Sequence, residues 1–137
     1  MILYLQDDGE WKKYDIATVK ARELIKRKIS ISDEALISDY VYIDNGVSIG
    51  RKAYIGVNVV IFEGAIIQEE ASIYSEAIIG DYVIINKSAS IGVRAHIDKR
   101  ALIGEKAIIG EDIYISQGAY IDNGALITTV DDQLLNR

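Results

Sequence analysis

The chain of 137 residues has no cysteine and a single histidine. Without cysteine there is no disulfide, no thiol nucleophile and no cysteine metal site. One imidazole excludes every mononuclear site that takes two or three histidines from one chain, so no metal is expected. Basic residues are also in deficit, at 15 Lys and Arg against 21 Asp and Glu, a net charge of −6. A general nucleic-acid binder normally carries the opposite surplus, and no nucleic-acid partner is expected. No apolar run reaches membrane-spanning length, and no charged-then-apolar start with a cleavage site is present, so the sequence reads as a soluble, cytoplasmic protein without a membrane partner. Half the residues are hydrophobic, too many for disorder, and the length suits one domain.

What the sequence has in abundance is isoleucine at a fixed interval. Every sixth position from 31 to 127 is Ile, seventeen in succession, and the residue two places before each is always Ala, Val or Ile. A period of six would smear these side chains around a helix, whereas a short strand and a corner every six residues keep them on one side. The large residue and the small one two places earlier share the inward face, and the residues flanking the isoleucine point out. The following pair, such as Asp33-Glu34 or Asn45-Gly46, is mostly Gly, Asn or charged and suits a turn. Three strands close an 18-residue triangular coil, so seventeen hexads give five to six coils and a column roughly 27 Å tall at about 4.8 Å per rung.

With Ile49-Gly50-Arg51-Lys52-Ala53 and Ile103-Gly104-Glu105-Lys106-Ala107, the chain resembles the hexapeptide-repeat family over roughly residues 29–130. The resemblance implies an all-β fold, a single-stranded left-handed parallel β-helix, the hand being the family's and not a result of the spacing. A stacked column exposes apolar interior at its ends, so the first residues are expected to cap it. Residues 2–6 and 11–16 read as a hairpin turning at residues 7–10. A helix is expected from about residue 15 or 18 to 28, with Ala17, Ala21, Leu24 and Ile25 on its buried stripe and Lys26, Arg27 and Lys28 at its carboxyl end. The cluster of Lys20, Arg22, Lys26, Arg27 and Lys28 is read as a solvated helix face. The organisation expected is thus a cap over 1–28, the β-helix over 29–130 and a tail over 131–137, whose Leu134 and Leu135 fold over the last coil.

Sorting outward residues by every third hexad gives three faces. One shows Tyr42, Val60, Phe62, Ile78, His96 and Tyr114, and a second shows Ile66, Ile84, Leu102 and Tyr120. The third mixes Ser38, Ser72, Tyr74 and Ser90 with Leu36, Tyr54, Ile108 and Leu126. Two adjacent apolar faces exceed what monomers usually expose, which predicts a parallel homotrimer burying the first two.

Many proteins of the resembled family are acyltransferases in which a histidine at a subunit boundary acts as general base on an acceptor hydroxyl or amine. Their acyl donor, such as acetyl-CoA, occupies the groove between columns. Here the resemblance makes His96 the base. Asp98, two residues on and on the same side, is placed to orient the ring, with Lys99 and Arg100 near donor phosphates and Asn86 across the trimer groove. Residues 87–106 carry a local +3 from Lys87, Arg94, Lys99, Arg100 and Lys106 against Asp98 and Glu105, a belt suited to coenzyme A phosphates or simply a set of solvated corners. The unbroken hexads depart from the family's enzymes, which extrude a loop from one corner. A non-catalytic β-helical assembly module is therefore the second reading. The family's zinc carbonic anhydrases need three histidines per site, its nucleotidyltransferases need a preceding nucleotide-binding domain, and β-helical ice binders need threonine ladders. None of these is supported.

Overall fold

The computed structural model describes residues 1–15 and 21–129. Its repeats form a parallel β-solenoid whose rungs are mostly two residues long, each an outward residue followed by the buried isoleucine. Three sheets run along the column, two of six strands and one of seven. Register is one coil per 18 residues: Ile79 pairs with Ile61 and Ile97, Ile85 with Ile67 and Ile103, and Ile91 with Ile73 and Ile109. Isoleucine thus stacks on isoleucine in three internal columns. The positions two residues before fill the remaining interior with Ala or Val through the middle coils, and larger residues are buried there only toward the ends of the described column, at Leu3, Ile29 and Ile113.

The exceptions lie at the start. Ile31 and Ile37 are half-buried, whereas every later isoleucine of the series is buried. They border a concavity of about 420 Å³ lined by Met1, Leu24, Ile31, Ser32, Asp33, Ala35, Leu36 and Ile37. Apart from Ser32 and Asp33 this wall is apolar, and it carries no paired acid and base among the described residues.

Glycine takes some of the left-handed corners, at Gly46, Gly64, Gly118 and Gly124, and other residues take the rest. Lys52, Glu70, Ser88 and Lys106 share one corner at intervals of 18 and all take the left-handed conformation, with φ of 60–61°. Glycine is needed where coils approach closely. A Cβ on Gly80 would lie 2.7 Å from the Lys99 backbone nitrogen, and one on Gly104 would lie 2.5 Å from that of Asn123.

The amino-terminal hairpin comprises β1 (Ile2–Asp7) and β2 (Glu10–Asp15), paired antiparallel. β1 also joins the seven-stranded sheet, parallel to Val41–Ile43, with Leu3 opposite Val41 and Leu5 opposite Ile43. Leu3 and Leu5 are fully buried and extend the two inward columns by one rung, so the hairpin is a continuation of the sheet as much as a cap.

The described helix is α1 (Ala21–Lys26). The earlier part of the expected helix and Ala17 fall outside the described residues, as does the expected fold-over of Leu134 and Leu135. The helix ends at Lys26 and not at Lys28 because Lys28 turns left-handed at φ 58°. Its N–H donates to Ile25 and that of Ile29 to Leu24, a Schellman closure with Ile29 and Leu24 as its apolar pair. Leu24 packs on the core as expected, but Ile25 does not: it is 71% exposed.

Arg27 is likewise not on a solvated face. It is buried, its Nη2 donating to Asp7 Oδ1 at 2.7 Å and to the Tyr14 hydroxyl at 2.9 Å. Its Nη1 donates to the Glu23 carboxylate at 2.9 Å, and its Nε to the Gln6 carbonyl at 2.9 Å. One guanidinium thereby ties the helix end to both hairpin strands, and five donors in a planar fork make this possible. The Tyr14 hydroxyl and the Arg27 charge hold Asp7 below the usual carboxylate range, and Arg27 does the same for Glu23.

Candidate active site on the seven-stranded sheet

His96 opens the rung His96–Ile97, its side chain outward and half-buried. Ile78 precedes it and Tyr114 follows it in register along the sheet. Side chains two residues apart on a strand share a face, so Asp98 stands beside His96. Gly80 lies under the next corner, where the absence of a Cβ admits the Asp98-Lys99 backbone. Together Phe62, Gly80, Asp81, His96, Asp98 and Lys99 line a concavity of about 190 Å³. The larger concavity at the column's end is remote from this chemistry.

The Asp98 carboxylate is fully engaged. Its Oδ2 accepts from the Tyr114 hydroxyl at 2.5 Å and its Oδ1 from the Lys99 backbone N–H at 2.7 Å. The Tyr114 hydroxyl first, then the Lys99 amide, hold the Asp98 carboxyl below its usual range, and the same bond pushes the Tyr114 phenol up. The Tyr114 ring meets the His96 imidazole edge-on, centroids 5.2 Å apart. No hydrogen bond or ion pair joins Asp98 to His96, so in this arrangement Asp98 contributes charge beside the ring without orienting it.

Above the concavity the face turns aromatic. Tyr42 stacks on Tyr4 at 4.2 Å, and Trp11 from β2 meets Tyr42 edge-on at 5.3 Å and Phe62 at 6.3 Å. Two of the residues assigned to a subunit interface, Tyr42 and Phe62, are therefore partly covered by the chain's own hairpin. Beside them burial pushes the Asp44 carboxyl up; the Asn45 amide opposes this and the Asp81 charge adds to it.

The remaining expected site residues are dispersed. Lys99 lines the concavity, while the Arg100 guanidinium rests on the Tyr82 ring at 5.6 Å. Asn86 follows Ile85 on a different sheet, so a single chain does not bring it to His96. The basic belt is largely neutralised by residues outside its window: Lys87 pairs with Glu69 at 3.4 Å and Arg94 with Asp112 at 2.8 Å, each one coil away. Lys87 and Arg94 are thus exposed, ion-paired corner residues. Tyr114, Phe62 and Asp81 were not assigned to the site, although counting by 18 brings the first two into register with it.

Exposure of large apolar side chains also differs from the expected pattern. Val60 and Ile78 on one sheet, and Ile66, Ile84 and Leu102 on the next, cover each other as stacked rungs and are half-buried. Tyr114 and Tyr120 are exposed there, but more exposed residues lie on the third face, at Leu36, Tyr54, Tyr74, Ile108 and Leu126, where Ser72 and Ser90 interrupt the stack. Among the described residues no cluster of His, Asp or Glu has the form of a metal site, and no helix is long and apolar enough to cross a membrane.

No family model matches the chain, and no curated protein sequence matches it. Solved structures do. A variant of GDP-perosamine N-acetyl transferase from Caulobacter crescentus, solved with CoA and GDP-perosamine, matches at a TM-score of 0.68 and 20% identity, covering 75% of this chain and 51% of that one. That likeness is one of fold. A Bacillus cereus protein assigned as an acetyltransferase matches at a TM-score of 0.50 and 27% identity over 78% of this chain and 83% of that one. The chain spans about half the length of the Caulobacter protein. The β-solenoid is thus a scaffold shared with acetyltransferases.

Proposed function

We propose that the chain is a hexapeptide-repeat acyltransferase that moves an acetyl group from acetyl-CoA to the hydroxyl or amine of a small molecule, working as a parallel homotrimer. The observation that carries this reading is the position of the only imidazole. His96 is outward and half-buried at a concavity with an ionised carboxylate, on a fold shared with acetyltransferases. In the reaction the imidazole takes the acceptor's proton as its oxygen or nitrogen attacks the thioester carbonyl carbon. The carbon–sulfur bond then breaks, and the coenzyme A thiolate leaves with the proton returned by the imidazolium. The Asp98 charge beside the ring favours the imidazolium that forms. Lys99 at the rim serves the donor phosphates, and a neighbouring column brings Asn86 across the groove, with Arg100 available once it leaves Tyr82. In this reading His96 and Tyr114 lie on the face proposed as the subunit boundary, where the donor and the neighbouring column would meet.

Acetyl-CoA in saturating excess should raise the melting temperature, the stabilisation reaching about 2.7 kcal/mol at a hundred times its dissociation constant. Sedimentation should give three chains per particle. A monomer at micromolar concentration contradicts the trimer. An unchanged melting temperature favours the non-catalytic module, the reading supported by the lack of a protruding loop between residues 31 and 127.

A further inference from the structure

We propose that Tyr114 is a positioning residue: its hydroxyl holds the Asp98 carboxylate to itself and so keeps His96 free of an ion pair. The geometry carries this. Asp98 follows the rung His96–Ile97 directly, lines the same concavity as His96 and lies within its electrostatic reach, near enough for a rotated carboxylate to approach the imidazole. The carboxylate instead spends Oδ2 on the Tyr114 hydroxyl and Oδ1 on the Lys99 amide. The tyrosine comes from the next rung, in register with His96, and its ring lies edge-on against the imidazole. One side chain thereby sets both the wall beside the base and the direction of the nearest negative charge.

Among the charged groups around His96, Asp98 is the one held by a side-chain hydroxyl that a single substitution removes. Asp81, from the corner after the preceding rung, and Lys99 line the same concavity, and Arg94 at the near corner is held by Asp112, with Glu111 and then Glu76 adding to its field. A carboxylate that paired with His96 would hold it as imidazolium and withdraw it from service as a base at neutral pH. A carboxylate held one step away supports the charge only when a proton arrives. The consequence for rate rests on the reading of His96 as the base; the positioning itself does not.

His96 is the chain's one histidine, so its nuclear magnetic resonance titration is unambiguous. Tyr114→Phe keeps the ring contact and removes only the hydroxyl, at a half-exposed position where folding is not at stake. The variant should raise the His96 titration midpoint by about half to one pH unit, and the double variant Tyr114→Phe, Asp98→Asn should abolish the rise. The acid limb of the transfer rate should move up by the same amount in the single variant. An unmoved midpoint in Tyr114→Phe, or a rise of equal size with Asn at position 98, overturns the proposal. A role in packing alone would lower the melting temperature and leave the midpoint unmoved. If the midpoint moves as described while His96→Ala leaves acetyl transfer intact, the functional reading fails and the positioning role stands.

Discussion

The seven-stranded sheet has two halves built on one backbone. Toward the amino terminus its outward side chains, Tyr42 and Phe62, lie against Tyr4 and Trp11 of the hairpin. Two rungs beyond Phe62 the same outward positions hold His96 and Asp98, and the next rung holds Tyr114, with no described hairpin contact over them. Inside, the two halves are alike, with a fully buried isoleucine at each rung. The difference shows that the repeat specifies the scaffold and leaves the outward positions free, so an aromatic cluster occupies one half and a polar, hydrogen-bonded cluster the other.

The largest effect should come from breaking what both halves share. Ile79 is fully buried at the middle of the column, and Ile79→Ala should cost about 3–4 kcal/mol. Ile37 is half-buried on the first coil, and Ile37→Ala should cost about 1–2 kcal/mol. Chemical denaturation of the two variants checks the contrast, and equal losses would mean that the first coil is as closed as the middle.

The interior was legible because a six-residue period has one good structural solution and because each isoleucine's neighbours lie 18 residues away. The same count applied outside would have exposed more. Glu69 with Lys87 and Arg94 with Asp112 are 18 apart, and these pairs, invisible in a local window of net charge, cancel much of the apparent basic belt. Tyr114 is 18 from His96 and so was placeable, but its bond to Asp98 was not, since it depends on rotamers that periodicity does not set. Leu3 and Leu5 have the spacing of an inward pair, yet nothing in the sequence says that they join the column. Trp11 and Arg27 reach their partners through the docking of the hairpin, a contact between segments with no repeat to fix their register.

Removing that docking should separate the halves. Arg27→Met leaves Asp7, Glu23 and Tyr14 without their shared donor. Because the two carboxylates are about a quarter exposed, the loss should be about 2–3 kcal/mol, at the lower end for a buried pair. It should fall on the hairpin half, read by the fluorescence of Trp11, the only tryptophan, with the His96 environment unchanged. The pH dependence has a definite sign. Asp7 and Glu23 have folded pKa values below their unfolded ones, so their stabilisation is fully present above about pH 5 and is lost as pH falls through the unfolded values near 4 toward the folded ones. Wild type should therefore lose stability more steeply below pH 4 than Arg27→Met. Parallel acid transitions would place the effect in other carboxylates.

The smallest effect on stability should be paired with the largest effect on activity. The His96 side chain is half-buried and makes an edge contact with the Tyr114 ring but no hydrogen bond or ion pair, so His96→Ala should change stability by less than about 0.5 kcal/mol. The decisive measurement is the release of coenzyme A thiol from acetyl-CoA in the presence of small amine and alcohol acceptors, by wild type and by that variant at neutral pH. Acceptor-dependent release by wild type, reduced at least about a hundredfold in His96→Ala, is the predicted result. Release that is equal in the two proteins, or absent from wild type across the acceptors, would contradict it.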